Sequence, residues 1–287
     1  MQQGLRVRAL VRDPLLAKTL LAQDVALVEG DLQNPEALQQ LVADSSAVVH
    51  CAGAVRGGSQ QDFDKVNVAG TAALLAAIES QAANTRLLLL SSLAAREPQL
   101  SWYAHSKRDA ETLLQESAEL DWVIVRPPAV YGPGDKEMLP VFQTMARGLA
   151  TVPGTAEARI SLIHVDDLSI AIIACLQSGR AIHHTLSLCD GKPGGYDWHE
   201  LAVIVGSIWG RRVRIWRVPA WLLNLVARCN LRLARITGSA PMLTPAKLRE
   251  LRHSDWVVDN KAIGEVTGWS PTIDLRKGLA ALRNSAL

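Results

Sequence analysis

RLLLLSSLAAREPQLSWYAHSK, residues 86–107, passes from an apolar run through a polar loop into a helix-forming segment. The run 86–90 reads as a buried strand that delivers Ser91 and Ser92 at its tip. In the segment that follows, Tyr103 and Lys107 stand in the spacing Y-x-x-x-K, one turn apart on one helix face. An ammonium at that distance favours phenolate over phenol and so lowers the tyrosine pKa from its usual value near ~10. A hydroxyl at the strand tip can hold a substrate oxygen beside the phenol. Ser92, Tyr103 and Lys107 are thus the parts for moving a proton to or from a substrate oxygen. The plainer alternative is an ordinary exposed Tyr and Lys at helical spacing; the strand, serine pair, loop and helix in that order favour chemistry.

Working outward, short apolar runs alternate with helix-period segments over the first two-thirds of the chain, the pattern of a parallel sheet wrapped by helices. Strands are expected at 5–11, 25–28, 47–51, 86–90 and 122–126, with a late one at 185–188. Helices are expected at 14–23, at 35–42 behind a cap at Asn34, at 63–80 carrying Asn67, from Tyr103 to about residue 119, and through residue 176 after His164-Val165-Asp166-Asp167. The character shifts after the glycine-rich turn 191–195. A helix over 198–209 and a strand over 213–218 precede Pro219. Beyond it Leu222, Leu225, Val226, Cys229, Leu233 and Ile236 trace one helix face, with Arg228, Arg232 and Arg235 on another. That helix is either packed on the core or lies as a lid or membrane-surface helix over an apolar pocket. Residues 1–190 are read as a dinucleotide-binding domain and 191–287 as a substrate-binding region, with contributions from 131–160.

Composition sets bounds. With 287 residues, 48% of them hydrophobic, the chain can bury a large core or two joined ones. A net charge of +2 with both signs interspersed gives no electrostatic case for nucleic acid or an acidic membrane. Six of the eight Trp lie in the last hundred residues, which suggests an apolar, shaped surface there. Cys51, Cys175, Cys189 and Cys229 show no C-x-x-C pairing, as in a cytoplasmic protein with reduced thiols. No run approaches the ~20 apolar residues of a transmembrane helix. No His spacing is that of a metal site; His183-His184, beside a strand, is the nearest to one.

The motifs in their order resemble the extended short-chain dehydrogenase/reductase family, also called the NAD-dependent epimerase/dehydratase family. They are Gly30-Asp31-Leu32, Cys51-Ala52-Gly53, Val66-Asn67-Val68-Ala69-Gly70-Thr71, Ser91-Ser92, Tyr103-x-x-x-Lys107, Arg126-Pro127-Pro128 through Tyr131-Gly132-Pro133, and His164-Val165-Asp166-Asp167. The resemblance implies a Rossmann-type, doubly wound α/β fold and a nicotinamide cofactor. Tyr103 would be the general acid/base, Ser92 rather than Ser91 would orient the reacting oxygen, and Lys107 would hold the nicotinamide ribose. Asn67 would serve a proton relay through water or act as a packing amide. Asp31 would accept from adenine with Leu32 against the ring, Ala52 and Gly53 would let the backbone approach the cofactor, and Pro127 and Val130 would lie near the nicotinamide. Arg12 sits where an acid would meet the ribose of NAD, which favours NADP, with NAD possible. A homodimer through the Tyr103 helix is also implied.

One part of the family pattern is not found: no glycine-rich turn follows a strand ahead of residues 5–11. In the family's strand order the strand before that turn is central. The 5–11 strand is therefore expected to lack a partner on one edge. Met1 is read as an internal methionine of a longer protein, or the start of a truncated one, or the start of a variant with another phosphate site.

The expected function is an NAD(P)-dependent oxidoreductase acting on a hydroxyl or carbonyl of a small, apolar, sterol-like molecule. Ala129 supports this, because the nucleotide-sugar branch of the family carries Asn there. The segment from Pro219 through Asp255-Trp256 and Gly268-Trp269-Ser270-Pro271 also looks like sterol-dehydrogenase-type relatives. A nucleotide-sugar epimerase or dehydratase is the alternative, with Arg159 meeting a phosphate. A third reading is a non-catalytic binding protein of the same fold.

Overall fold

A computed structural model describes residues 5–22, 24–81, 84–237, 240–241 and 243–284. Its strands are the short apolar runs, and its helices start where a capping side chain precedes them. β1 (Arg8–Val11) leads to α1 (Pro14–Leu20), where Asp13 accepts from the Leu16 amide and Pro14 fits the first turn. β2 (Ala26–Glu29) leads to α2 (Pro35–Val42), capped by Asn34 in the same way. After β3 (Ala47–His50) come α3 (Gln60–Phe63), a π-helical turn (Asp64–Val68) and α4 (Ala69–Glu79). β4 (Arg86–Leu90) is followed by a 3-10 turn (Leu93–Arg96), then α5 (Trp102–Glu116), which starts on the Ser101 cap, and β5 (Trp122–Arg126). Of the expected elements, β4, β5 and α2 fall on their predicted bounds. The helix expected over 63–80 is instead interrupted by the π-helical turn, and the strand expected from residue 5 begins at Arg8. Gln23, the expected end of α1, lies outside the described residues.

The second half is more broken. β6 (Ala129–Tyr131), α6 (Leu139–Ala146), β7 (Leu149–Val152), β8 (Arg159–Ile160) and β9 (Leu162–His164) precede α7 (Val165–Gln177) and β10 (His184–Ser187). α8 (Trp198–Trp209) opens on a capping box between Asp197 and Glu200 and ends at Gly210, whose φ of 66° suits glycine. β11 (Arg214–Arg217), α9 (Ala220–Thr237), α10 (Pro245–Leu251), β12 (Asp255–Trp256), α11 (Lys261–Thr267) and α12 (Leu275–Asn284) complete the order.

All pairings between these strands are parallel, as in a doubly wound α/β fold. The main sheet has the order β10-β5-β4-β3, while β1 and β2 pair only with each other. The described strands therefore leave β1 and β3 as unpaired edges, as expected for the 5–11 strand. Side-chain burial follows the same division. Leu87, Leu88 and Leu89 of β4 are each at most 1% exposed, and burying one such side chain contributes ~1.5–3 kcal/mol. On β3, by contrast, only Val48 and His50 are buried, and Ala47 and Val49 alternate outward.

One face of the sheet packs on α2, α4 and α5 through Leu38, Leu74, Ile78 and Leu114. The other packs on α7 and α11 through Leu168, Cys175 and Ile263. A third apolar cluster joins Tyr131, Phe142 and Leu162 to Leu201, Val205 and Leu279. Residues on both sides of position 190 build it, so the C-terminal part is tied to the segment 129–162. No helix among the described residues is long and apolar enough to cross a membrane.

Candidate active site

The carboxyl ends of β3, β4 and β5 bring the sequence-predicted residues together. At the β4 tip Ser91 and Ser92 have separate tasks. Ser91 is buried and donates to Glu111 Oε1 at 2.5 Å, and Glu111, wholly buried, also holds Arg126 through Nε at 2.8 Å. Ser91 is thereby locked into a structural network, whereas Ser92 acts on the Tyr103 phenol, where it lowers the pKa against the other influences. The Ser92 hydroxyl also accepts from the Ala94 amide at 3.2 Å, and this turns the chain at the strand tip.

Packing around Tyr103 pushes its phenol up to about 12, with Glu250 and Glu137 adding to burial and the Ser92 hydrogen bond opposing them. This direction is opposite to the one expected from its spacing to Lys107. The physical reason is desolvation of the phenolate, together with the placement of the ammonium. Lys107 Nζ donates to the Leu90 carbonyl at 2.9 Å and lies 3.2 Å from where a Cβ on Gly53 would be. Burial brings the Lys107 pKa itself down to about 8.

Gly53 and Ala52 are exposed in the loop after β3. A side chain at Gly53 would press on Lys107 and on Asn67 Oδ1, 3.1 Å away. Asn67 sits in the π-helical turn, and such turns can re-aim a side chain at a functional site. It is 2% exposed and fully engaged. Its Oδ1 accepts from Ala54 N at 2.7 Å, and its Nδ2 donates to the Ala54 carbonyl at 3.1 Å and to Ser106 Oγ at 2.8 Å. Asn67 thus clamps the β3 loop to α5.

The remaining predicted residues line the ends of the other strands. Arg12 is exposed just past β1, and Asp13 beside it is committed to capping α1 at 3.0 Å. Asp31 is exposed past β2, where Oδ1 accepts from Gln33 N at 2.8 Å. Leu32 packs on Gly70, so closely that a Cβ there would be 2.6 Å from its Cδ1. Pro127 is buried, its carbonyl accepting from Leu93 N at 2.8 Å, and Val130 packs on the second core cluster. Arg159, the candidate phosphate contact, bonds instead to Gly195 O at 3.0 Å and Glu200 Oε2 at 2.9 Å, close to Asp197.

Four residues here escaped the sequence reading. Glu111 follows Lys107 by four residues on the same buried face of α5, a spacing that could have revealed it. His50 bonds Thr71 Oγ1 at 2.9 Å, and burial, then Lys107, bring its pKa down to about 4. The Phe63 ring lies 6.2 Å from that of Tyr103. Lys247 Nζ stands 5.4 Å from the Tyr103 ring centre and pairs with Glu250, which accepts from Ser101 Oγ at 2.7 Å. No local signal links residues 247–250 to Tyr103. A small cleft beside the phenol, with room for about one water at ≈ 10 Å³, is lined by Val55, Phe63, Trp102 and Ala246 together with the polar Ser101, Thr244 and Lys247.

Comparison with known proteins agrees with this geometry. Residues 1–188 match the model of the NAD dependent epimerase/dehydratase family. The chain is 33% identical over 281 residues to a ceramide reductase of Caulobacter vibrioides, covering 95% of this chain and 87% of that one. It is 29% identical to a 2-alkyl-3-oxoalkanoate reductase of Stenotrophomonas maltophilia, covering 93% and 88%. The fold is also that of the UDP-glucose 4-epimerase of Thermotoga maritima, with a TM-score of 0.75 at 18% identity over 100% of this chain and 93% of that one. The family model over residues 1–188 and the 33% identity to the ceramide reductase show that the chain belongs to the NAD-dependent epimerase/dehydratase family.

Proposed function

We propose that this chain is an NADP-preferring reductase that converts a carbonyl of a long-chain, ceramide-like lipid into a hydroxyl. The observation that carries this reading is the place of the Tyr103 phenol, on α5 beside the β4 tip that carries Ser92, with apolar Val55, Phe63, Trp102 and Ala246 around it. Any phenol is protonated at neutral pH and can donate to a carbonyl oxygen; burial, which pushes Tyr103 up to about 12, works against that donation, so the reading rests on the position of the phenol and not on its pKa. Ser92 Oγ would orient that oxygen while Tyr103 Oη gives up its proton. A bound nicotinamide dinucleotide supplies the hydride.

The residues fit the two ends of such a cofactor. Lys107, beside the open backbone of Ala52 and Gly53, would hold the nicotinamide ribose, with Pro127 and Val130 near the nicotinamide. Asp31 and Leu32 would meet the adenine. Arg12 would meet the extra phosphate of NADP, since Asp13 is already spent on a helix cap. Asn67, with its amide engaged on both sides, positions the loop and α5 instead of relaying protons. The carboxylates around Arg159 neutralise it, which weighs against a nucleotide-sugar diphosphate there. The names of the two reductase relatives supply the lipid character of the substrate.

The test is NADPH consumption with a long-chain 3-oxo lipid dispersed in detergent, against UDP-glucose under the same conditions. The lipid should be reduced and NADPH used in preference to NADH. Interconversion of the sugar nucleotide without reduction of the lipid would overturn the proposal.

A further inference from the structure

α9 is turned the wrong way round for a helix packed on a soluble core. Its buried positions are small, Ala227 and Ala234 at 0% and 5% exposed. Leu222, Leu223 and Leu231 are half-buried, but several large apolar side chains face out: Trp221 is 67% exposed, Leu225 53%, Leu233 58% and Ile236 83%. At 100° per residue these four fall on one arc of about 120°, with Arg228 just outside its edge and Arg232 within it beside Trp221. Both arginines are exposed, and among the described residues neither is in an ion pair. An outward apolar arc with arginines near its edge is the layout of a helix lying in a bilayer interface.

The charge distribution says which surface. Over residues 201–249 there is no Asp or Glu, yet nine Lys and Arg, within a chain that is only +2 overall. The remainder of the chain is therefore acidic, and net charge alone conceals a local basic segment. The evenly mixed charge that argued against an acidic membrane describes the whole chain and not this segment. Arg217, just before α9, is held by Glu157 at 2.8 Å, but Arg214 stands exposed.

We propose that α9 docks this protein on the surface of an anionic lipid bilayer. The apolar arc would enter the headgroup region, and the arginines would meet the lipid phosphates. The inner side of the helix faces the site. Leu231 reaches to 3.9 Å of where a Cβ on Gly58 would be, beside the loop that packs on Phe63. α10, which packs on α9, carries the Lys247 that lies over Tyr103. α9 thus packs on the helix that lines the cleft. The docking does not depend on the substrate proposed above, although it would place a lipid carbonyl within reach of Tyr103.

The purified chain would be sedimented with phosphatidylcholine vesicles made with and without phosphatidylglycerol. Binding is expected only with the anionic lipid and should weaken as salt rises. The variants Arg228→Glu/Arg232→Glu and Leu225→Ser/Ile236→Ser should each lose roughly tenfold or more in binding while melting like the parent. Equal binding to both vesicle types, or no binding, would overturn the proposal. So would light scattering that shows a dimer dissociated by Leu225→Ser/Ile236→Ser, since a second copy would then cover the face. Sedimentation needs neither cofactor nor turnover. Vesicle binding without lipid reduction defeats only the proposed activity, and reduction in detergent without vesicle binding defeats only the docking.

Discussion

The tips of β4 and β5 and the outer face of α9 are inversions of one another. At the strand tips polar groups are buried, and each has a partner: Glu111 with Ser91 and Arg126, Asn67 with Ala54 and Ser106, His50 with Thr71. On α9 several large apolar groups are exposed and small ones are buried. A buried polar group is costly unless satisfied, so a completed network marks a place where geometry is held. An exposed apolar arc gains nothing within the chain, so it marks a place where something outside is met. One region is built for chemistry on a fixed frame and the other for contact.

The largest expected effect on stability comes from breaking the first region. Glu111→Ala would leave the buried Ser91 hydroxyl and the largely covered Arg126 guanidinium without their partner. Losing one side of such a pair costs about 3–5 kcal/mol. In a domain of this size that is a fall in melting temperature of roughly 10 °C, read by calorimetry. An unchanged melting point would mean that the network is not what holds the strand tips.

His50 gives a smaller, pH-dependent effect. Burial lowers its pKa to about 4, so as pH falls below 6.5 the unfolded chain takes up a proton before the folded one. Stability from this group is therefore full above pH 6.5 and lost as pH falls through 4, by roughly 3 kcal/mol. His50→Gln, which keeps a partner for Thr71, should flatten urea stability between those limits. A slope identical to the parent's would assign the acid sensitivity elsewhere. The smallest effect sharpens the contrast: Leu225→Ser/Ile236→Ser should change folding stability by no more than about 0.5 kcal/mol per site, because neither side chain is buried. A large loss there would mean that α9 does pack through that face.

How much of this could be read from the sequence depended on how local each signal was. β4 and β5 were legible to the residue because a fully buried parallel strand is a continuous apolar run bounded by polar residues. α8 was legible because its Asp197–Glu200 capping box and Gly210 punctuate it at both ends. Ser92, Tyr103 and Lys107 could be named as a candidate set from their spacing, but the direction of the Tyr103 pKa could not. Spacing predicts a neighbouring charge, whereas burial is a property of the packed fold and here dominates. The π-helical turn was hidden for a similar reason, because it aims Asn67 at Ala54, thirteen residues back in the chain. Lys247 and Phe63 meet Tyr103 only through tertiary packing. The segregated charge of 201–249 was present in the sequence and was masked by averaging over the whole chain.

The most direct test of the central claim is steady-state NADPH consumption on a long-chain 3-oxo lipid by the parent and by Tyr103→Phe, which keeps the ring against Phe63 and removes only the hydroxyl. The expected result is a loss of about 10²–10⁴-fold in kcat with an unchanged melting temperature. A Tyr103→Phe variant that reduces the lipid within a few-fold of the parent rate would contradict it.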